Sequence, residues 1–456
     1  MSNHDDLLWQ YNCLDCVRTR EVGEVETANL AQMGMVEVDA FQQKMFWPVL
    51  EAMKRGIKID PVLRQKFAVE LMDELTAREE WFLAVLGHQL NPKSPTQMAK
   101  LMYEDFKMPV IRKRGKGGIP GGVTCDDDAL RKIGQREPLL RPLLRRVAEY
   151  RSLGVFLSTF VMAPLDIDGR MRTSYNICGT ETFRFSSSEN AFGSGTNLQN
   201  IPKGGEDDDS GLVLPNVRKI FVPDYDFTIF DTDLSKADLR IVTWEADEKE
   251  LKAMLKEGRD PYVETAREFY RDPTITKTRG DNSEHPKYRI FKSFAHGTHY
   301  LGTPQGLAQR LGLTVHEADR TQRWYLGKFP AIKAWQSAVI AQVKSKHFVQ
   351  NIFGNRRYYF DRIDDNIFRE AVAWIGQSTT ALYINRIWLN LWENHKDIWI
   401  MLQVHDSLVG QFPTWNRVKC LANIQAAGQI ELPYPGDPLI IPMGVKTSDV
   451  SWGDCS

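Results

Sequence analysis

The spacing of apolar residues along this chain runs helical, extended, helical and extended in turn. Residues 1–60 read as helical, and FWPVLEAMKRGIKID predicts a helix that stops at Gly56 before a short extended piece. An amphipathic helix is expected over about 61–88, closed by the Asn91-Pro92 and Ser94-Pro95 steps. Another covers about 95–106. The loop IRKRGKGGIPGG then reads as mobile and cationic, from its four cations and five glycines. Asp126 is placed to cap the next helix, and 138–162 is helical and basic.

From about residue 166 the pattern becomes extended. RMRTSYNICGTET and RKIFVPDYDFTIFDTDLS are rich in β-branched and aromatic residues with turn signals between them. The loop GGEDDDSG separates them. Its Glu206, Asp207, Asp208 and Asp209 read as solvated rather than as a metal cage, because adjacent carboxylates cannot all point inward. Residues 246–345 are mostly helical and basic, a helix follows over about 364–395, and IWIMLQVHDSLVGQF reads as a strand pair. A last helix and strand close an α+β pattern with an inserted helical block.

Composition narrows the reading. A chain of 456 residues with 42% hydrophobic content can bury a large core, and more than one domain is expected. The net charge is -1, so a nucleic-acid surface has to come from segregated charge. Residues 111–151 hold eleven Lys/Arg against five acids, which suits such a surface and a solvated helical face equally. Six cysteines in this length make no disulfide framework. Cys13 and Cys16 form a lone C-x-x-C, expected to be buried thiols rather than a zinc site. No apolar run approaches a bilayer span, and MSNHDDLLWQ has no apolar signal region. A soluble protein without a membrane partner, in a reducing, cytoplasmic compartment, is expected.

Two carboxylate sites stand out. In FTIFDTDLS, strand alternation puts Ile229, Asp231 and Asp233 on one face. In QVHDSLVGQF, Asp406 falls at the bend of a hairpin. Either aspartate alone reads more readily as a turn residue. Together they suit a pair that bridges divalent ions in phosphoryl transfer. Between them in sequence, Arg289, Lys292, His296 and Tyr300 recur at helical spacing after Pro286. That stripe has the cations to grip a triphosphate and an aromatic to stack on a base.

These ordered motifs resemble those of family A DNA polymerases, of the single-chain kind common in bacteriophages. DTDLSKADLR is similar to the family's first palm motif. The resemblance implies that Asp233 and the Leu234 carbonyl are metal ligands, and that Asp238 stands where a glutamate excludes a ribose 2′-hydroxyl. KYRIFKSFAHGTHYLGTPQGLA resembles the nucleotide-binding fingers helix, with Lys292 at the dNTP triphosphate and Tyr300 at the template base stack. QVHDS resembles the second palm motif, with Asp406 a metal ligand and His405 near the primer terminus. GTETFRFSSSENAFGSGTNLQNIPK resembles a segment on the primer-template minor groove, which implies DNA contacts for Arg184, Asn197, Gln199 and Asn200. Arg369 and Gln377 match a pair near the templating base. The cofactor implied is two Mg²⁺, with Mn²⁺ as a substitute.

The chain departs from the family pattern at several positions. The fingers aromatic is His296. Arg289 is three residues before Lys292 instead of four, which leaves Lys287 or Arg289 for the family's arginine role. Ser407 replaces a glutamate that often follows the second aspartate, and Ala373 replaces an asparagine. Tyr11 to Asp15 resembles the last motif of a 3′–5′ exonuclease domain. This reads as a vestige packed under the palm, or as a segment docking on a separate exonuclease chain, with no autonomous proofreading in either case.

The plan implied is a right hand: 1–60 an exonuclease remnant and connector, 61–165 a thumb, 166–250 and 356–456 a palm, and 251–355 fingers. Lys113, Arg114 and Lys116 would meet phosphates at the thumb tip. The partners implied are primer-template DNA and dNTPs. The rival readings are a single-subunit RNA polymerase and a catalytically inactive DNA-binding scaffold.

Overall fold

The computed structural model describes residues 3–114, 120–190, 193–206, 212–279 and 283–455. Lys116 and the acids Asp207, Asp208 and Asp209 lie outside them, as do the side chains of Arg114 and Glu206.

The chain is α+β. Helices Asn3–Gln32, Val36–Arg55 and Pro61–Leu86 come first, with the short strand Ile57–Ile59 between the last two. Gly56 ends the second helix with φ 62, a left-handed value that glycine adopts without a Cβ clash. Asp60 caps the third by accepting from the amides of Val62 and Leu63, a cap that contributes about 1 kcal/mol. The first helix is exposed along residues 5–29. It therefore does not pack under the rest of the chain, and Cys13 and Cys16 are exposed on it instead of buried. A polar majority around its circumference leaves no continuous apolar face for a core.

Helices Asp127–Arg136 and Arg141–Val155 pack with Pro61–Leu86 around a separate core that includes Phe82, Met98, Leu130, Leu144 and Val147. Asp126 caps the former by accepting from the Ala129 amide. Within the cationic glycine loop, read from the sequence as mobile, Arg112–Arg114 and Pro120–Val123 pair as an antiparallel ribbon. Glycine permits this, because a Cβ on Gly121 would stand 2.7 Å from the Lys113 carbonyl oxygen.

A four-stranded antiparallel sheet organises the middle and end of the chain. Its order is Trp399–Val404, Ser407–Pro413, Phe227–Leu234, Met443–Ser448. Strand alternation splits the central strand between two cores. Phe230 and Leu234 join Tyr383, Ile384 and Trp388 of the long helix Asp365–Asn394. Ile229 joins Phe221, Val409 and Trp452 on the other side. Gly410 lets the strands close up, since a Cβ there would meet the Phe230 ring at 2.5 Å. The helical block Pro261–Lys346 includes the helix Pro286–His299, which buries Tyr288, Phe291 and Ala295 and exposes Arg289 and Lys292. No helix among the described residues is long and apolar enough to cross a membrane.

Candidate active site

Asp233 leaves the sheet at the end of the strand Phe227–Leu234, and Asp406 sits in the turn joining Trp399–Val404 to Ser407–Pro413. The turn is tight enough to put His405 at φ 58, where a histidine is uncommon. Far apart in sequence, the two carboxylates come close enough in the fold for the charge of Asp233 to act on Asp406. Burial pushes the Asp406 carboxyl up, and the charge of Asp233 pushes it further. Asp233 is raised as well, by the protein around it and then by the charge of Asp231, against the opposing charges of Lys203, Lys446 and Lys277. Two carboxylates, each raised by burial and by a neighbouring carboxylate charge, are a donor set that fits divalent cations, which would offset the repulsion. Leu234 is buried beside Asp233, with its backbone paired to Met443.

Asp238 extends the site. Its charge also acts on Asp406. His296 Nε2 lies 3.2 Å from Asp238 Oδ2, and Thr380 Oγ1 donates to Oδ1 at 3.4 Å. Burial pushes the Asp238 carboxyl up, but the His296 bond and charge, with Arg184, outweigh it and hold the carboxyl below its usual range. The His296 ring meets Tyr300 edge-on at 4.9 Å. Tyr300 in turn lies on Gly376 of the long helix, where a Cβ would stand 2.7 Å from its hydroxyl. The helix Pro286–His299 is thereby joined to the carboxylate cluster through His296.

Lys292 lies one turn before His296 and is half exposed, with its Nζ 3.7 Å from Glu284. Arg289 is exposed on the same helix. Lys287 is held elsewhere, 2.7 Å from Asp272 and over the Tyr270 ring. Tyr288, four residues before Lys292, is buried.

The segment 197–200 has an internal role. Asn197 caps the turn by accepting from the Gln199 amide. The buried Gln199 donates to Gln403, and Gln403 donates to the His405 carbonyl at 2.6 Å, which fixes the turn beside Asp406. Asn200 is exposed. Arg369, Ala373 and Gln377 form a half-buried stripe on the long helix, with Arg369 donating to Asn366. Lys113 is exposed on the ribbon remote in sequence from the rest of the site.

Sequence reading missed Thr380, Gln403 and the role of Asp231. Thr380 continues the Arg369, Ala373, Gln377 stripe at helical spacing, and Gln403 is a lone polar residue in an apolar strand. Both signals were present.

The family described as DNA polymerase family A matches residues 63–447. A thermostable DNA polymerase I of Thermus filiformis is 27% identical over 407 residues, covering 86% of this chain and 45% of the relative. A DNA polymerase I of Geobacillus stearothermophilus is 27% identical over 373 residues, covering 78% and 40%. The chain thus spans under half the length of these curated relatives. Among solved structures, the POL domain of Pol1 from M. smegmatis, in complex with DNA primer-template and dNTP, aligns with a TM-score of 0.77. The alignment covers 94% of this chain and 73% of that one at 22% identity, and it shows the right-hand fold expected from the sequence. With the match running through both carboxylate strands and the helix between them, this chain belongs to DNA polymerase family A.

Proposed function

We propose that the chain is a template-directed DNA polymerase that joins dNTPs to a primer 3′-hydroxyl. The observation that carries this is the meeting of Asp233 and Asp406, each pushed up by burial and by neighbouring carboxylate charge, with Asp238 and the His296 helix beside them.

Asp233 and Asp406, with the Leu234 carbonyl, are the groups that would hold two Mg²⁺, or Mn²⁺ in their place. Bound there, such ions activate an attacking hydroxyl and stabilise a leaving oxygen. The chain's own residues do the rest. Lys292 presents an ammonium to the triphosphate, with Arg289 one turn away. His296 and Asp238 meet the sugar, and Tyr300 on Gly376 closes the base pocket. Arg184, Asn200, Arg369, Gln377 and His405 contact primer and template, with Lys113, Arg114 and Lys116 on phosphates further off. Asn197 and Gln199 hold the segment in place. The domain plan of the sequence reading is retained as part of this proposal, supported by the separate core over residues 82–147.

The Asp238 carboxylate, fixed by His296 and Thr380, favours deoxyribonucleotides over the RNA polymerase reading. Primer extension with Mg²⁺, comparing dNTPs with rNTPs, tests the proposal. Template-dependent extension with dNTPs supports it, and its absence overturns it. The exposed Leu7, Leu8, Trp9 and Tyr11 support docking of the first helix on a separate exonuclease chain. Pull-down with such a chain, with and without Tyr11→Ala, tests that part. Operation in the cytoplasm fits the proposed activity.

A further inference from the structure

The strand carrying Asp233 and the strand following Asp406 are paired by their backbones only as far as Asp231 opposite Val409. Continued by two residues, that register would set Asp233 opposite Ser407. There the described ladder stops, and side chains take over. Ser407 Oγ donates to Asp231 Oδ1. The Leu408 amide donates to Thr232 Oγ1 at 2.9 Å, and Thr232 Oγ1 reaches the Leu408 carbonyl at 3.3 Å. The turn carrying Asp406 is thus tied to the strand carrying Asp233 by side chains, at the point where the strands part.

Asp231 is itself fixed from behind. Trp452 Nε1 donates to its Oδ2 at 2.9 Å. The Arg218 guanidinium lies 3.8 Å from the same oxygen and 4.1 Å from the centre of the Trp452 ring. A carboxylate held at Oδ2 presents its other oxygen, Oδ1, as a fixed acceptor to Ser407, the residue directly after Asp406. We propose that the Asp231–Ser407 hydrogen bond sets the spacing of Asp233 and Asp406, and that Asp231 and Ser407 are positioning residues of the catalytic centre. A serine at 407 suits this arrangement. A longer carboxylate there would face Asp231 and repel it. Outer partners that orient ligating carboxylates typically change metal affinity or activity by about 10–100-fold when removed.

This inference rests on the polymerase reading, and the experiment separates the two. Mn²⁺ binding, read by paramagnetic resonance without nucleotide, is measured beside primer extension and melting temperature. If the wild-type chain neither binds Mn²⁺ nor extends a primer, the polymerase reading fails. If it does both, Ser407→Ala should weaken Mn²⁺ binding roughly tenfold and lower kcat with little change in primer-template affinity. Ser407→Thr keeps the hydroxyl and should restore binding. Adding Ser407→Ala to Asp231→Ala should cost nothing beyond Asp231→Ala, because one bond is lost in both. Wild-type Mn²⁺ affinity in Ser407→Ala, failure of Ser407→Thr to restore it, or full additivity in the double variant would each overturn the proposal.

Discussion

His296 Nε2 lies 3.2 Å from Asp238 Oδ2, so a side chain of the helix Pro286–His299 holds the Asp238 carboxylate directly. The pair couples the helix Pro286–His299 to the sheet side of the site.

The sugar gate is therefore expected to depend on Asp238. On the proposed reading, Asp238→Ala removes the carboxylate that would exclude a ribose 2′-hydroxyl. Misfits of this size change discrimination by about 10–200-fold. The rNTP:dNTP ratio of kcat/KM should rise by at least about tenfold. An unchanged ratio would transfer the filtering to another group, His296 first.

On the proposed reading, loss of Asp233 or Asp406 should stop the chemistry and spare the binding. Asp233→Ala and Asp406→Ala are each expected to cut single-turnover extension by on the order of 10³ or more. Their primer-template affinity should stay close to wild type. A variant that still extends at near the wild-type rate would remove that residue from the site.

The same carboxylates predict a pH-dependent cost to stability. Both have folded-state pKa values raised, Asp406 by burial and then Asp233, and Asp233 by burial and then Asp231. A raised acid destabilises the fold above its folded pKa, and the penalty disappears as pH falls to its ordinary value. At neutral pH without metal, Asp406→Asn should raise Tm by about 1–3 °C. The gain should vanish as pH drops into the ordinary aspartate range. Mg²⁺ should raise the wild-type Tm more than that of the variant. A pH-independent gain would mean that burial and repulsion are not the cause.

Lys292 is expected to act as a point charge on the triphosphate. Lys292→Ala should lower extension by about 10²–10³, and Lys292→Arg less, since a guanidinium fork only partly reproduces an ammonium. Glu284, 3.7 Å from Lys292, competes for that charge. An exposed ion pair of this kind contributes about 0.2–1 kcal/mol, so Glu284→Gln should lower the KM for dNTP by up to about fivefold. Dependence on the Glu284 charge can be read from the salt sensitivity of KM.

The purified chain is not expected to degrade a mismatched primer terminus. Asp5, Asp6, Asp15 and Glu21 lie on one exposed helix, where solvated charge is the expected role. Removal of the 3′ nucleotide that survives Asp406→Ala and is lost in Asp15→Ala would contradict this.

Sequence by itself determined much of the fold. Gly56, Asp60, Asp126 and Pro286 bound helices because caps, prolines and glycines act within one turn of chain. The strand Phe227–Leu234 and the hairpin over Trp399–Pro413 were legible from local alternation and a turn signal. Motif resemblance singled out Asp233, Lys292 and Asp406. Only tertiary structure decided what these residues meet. Ser407 and Asp231 lie far apart in sequence, and no local pattern records that the backbone ladder ends at Asp231 and a side chain continues it. Lys287 and Lys292 share a helix and a charge, yet Asp272 holds one and the other faces Glu284. Whether a charge serves a substrate or a neighbouring carboxylate depends on which groups the fold brings within a few ångströms, because screening confines charge interactions to short range.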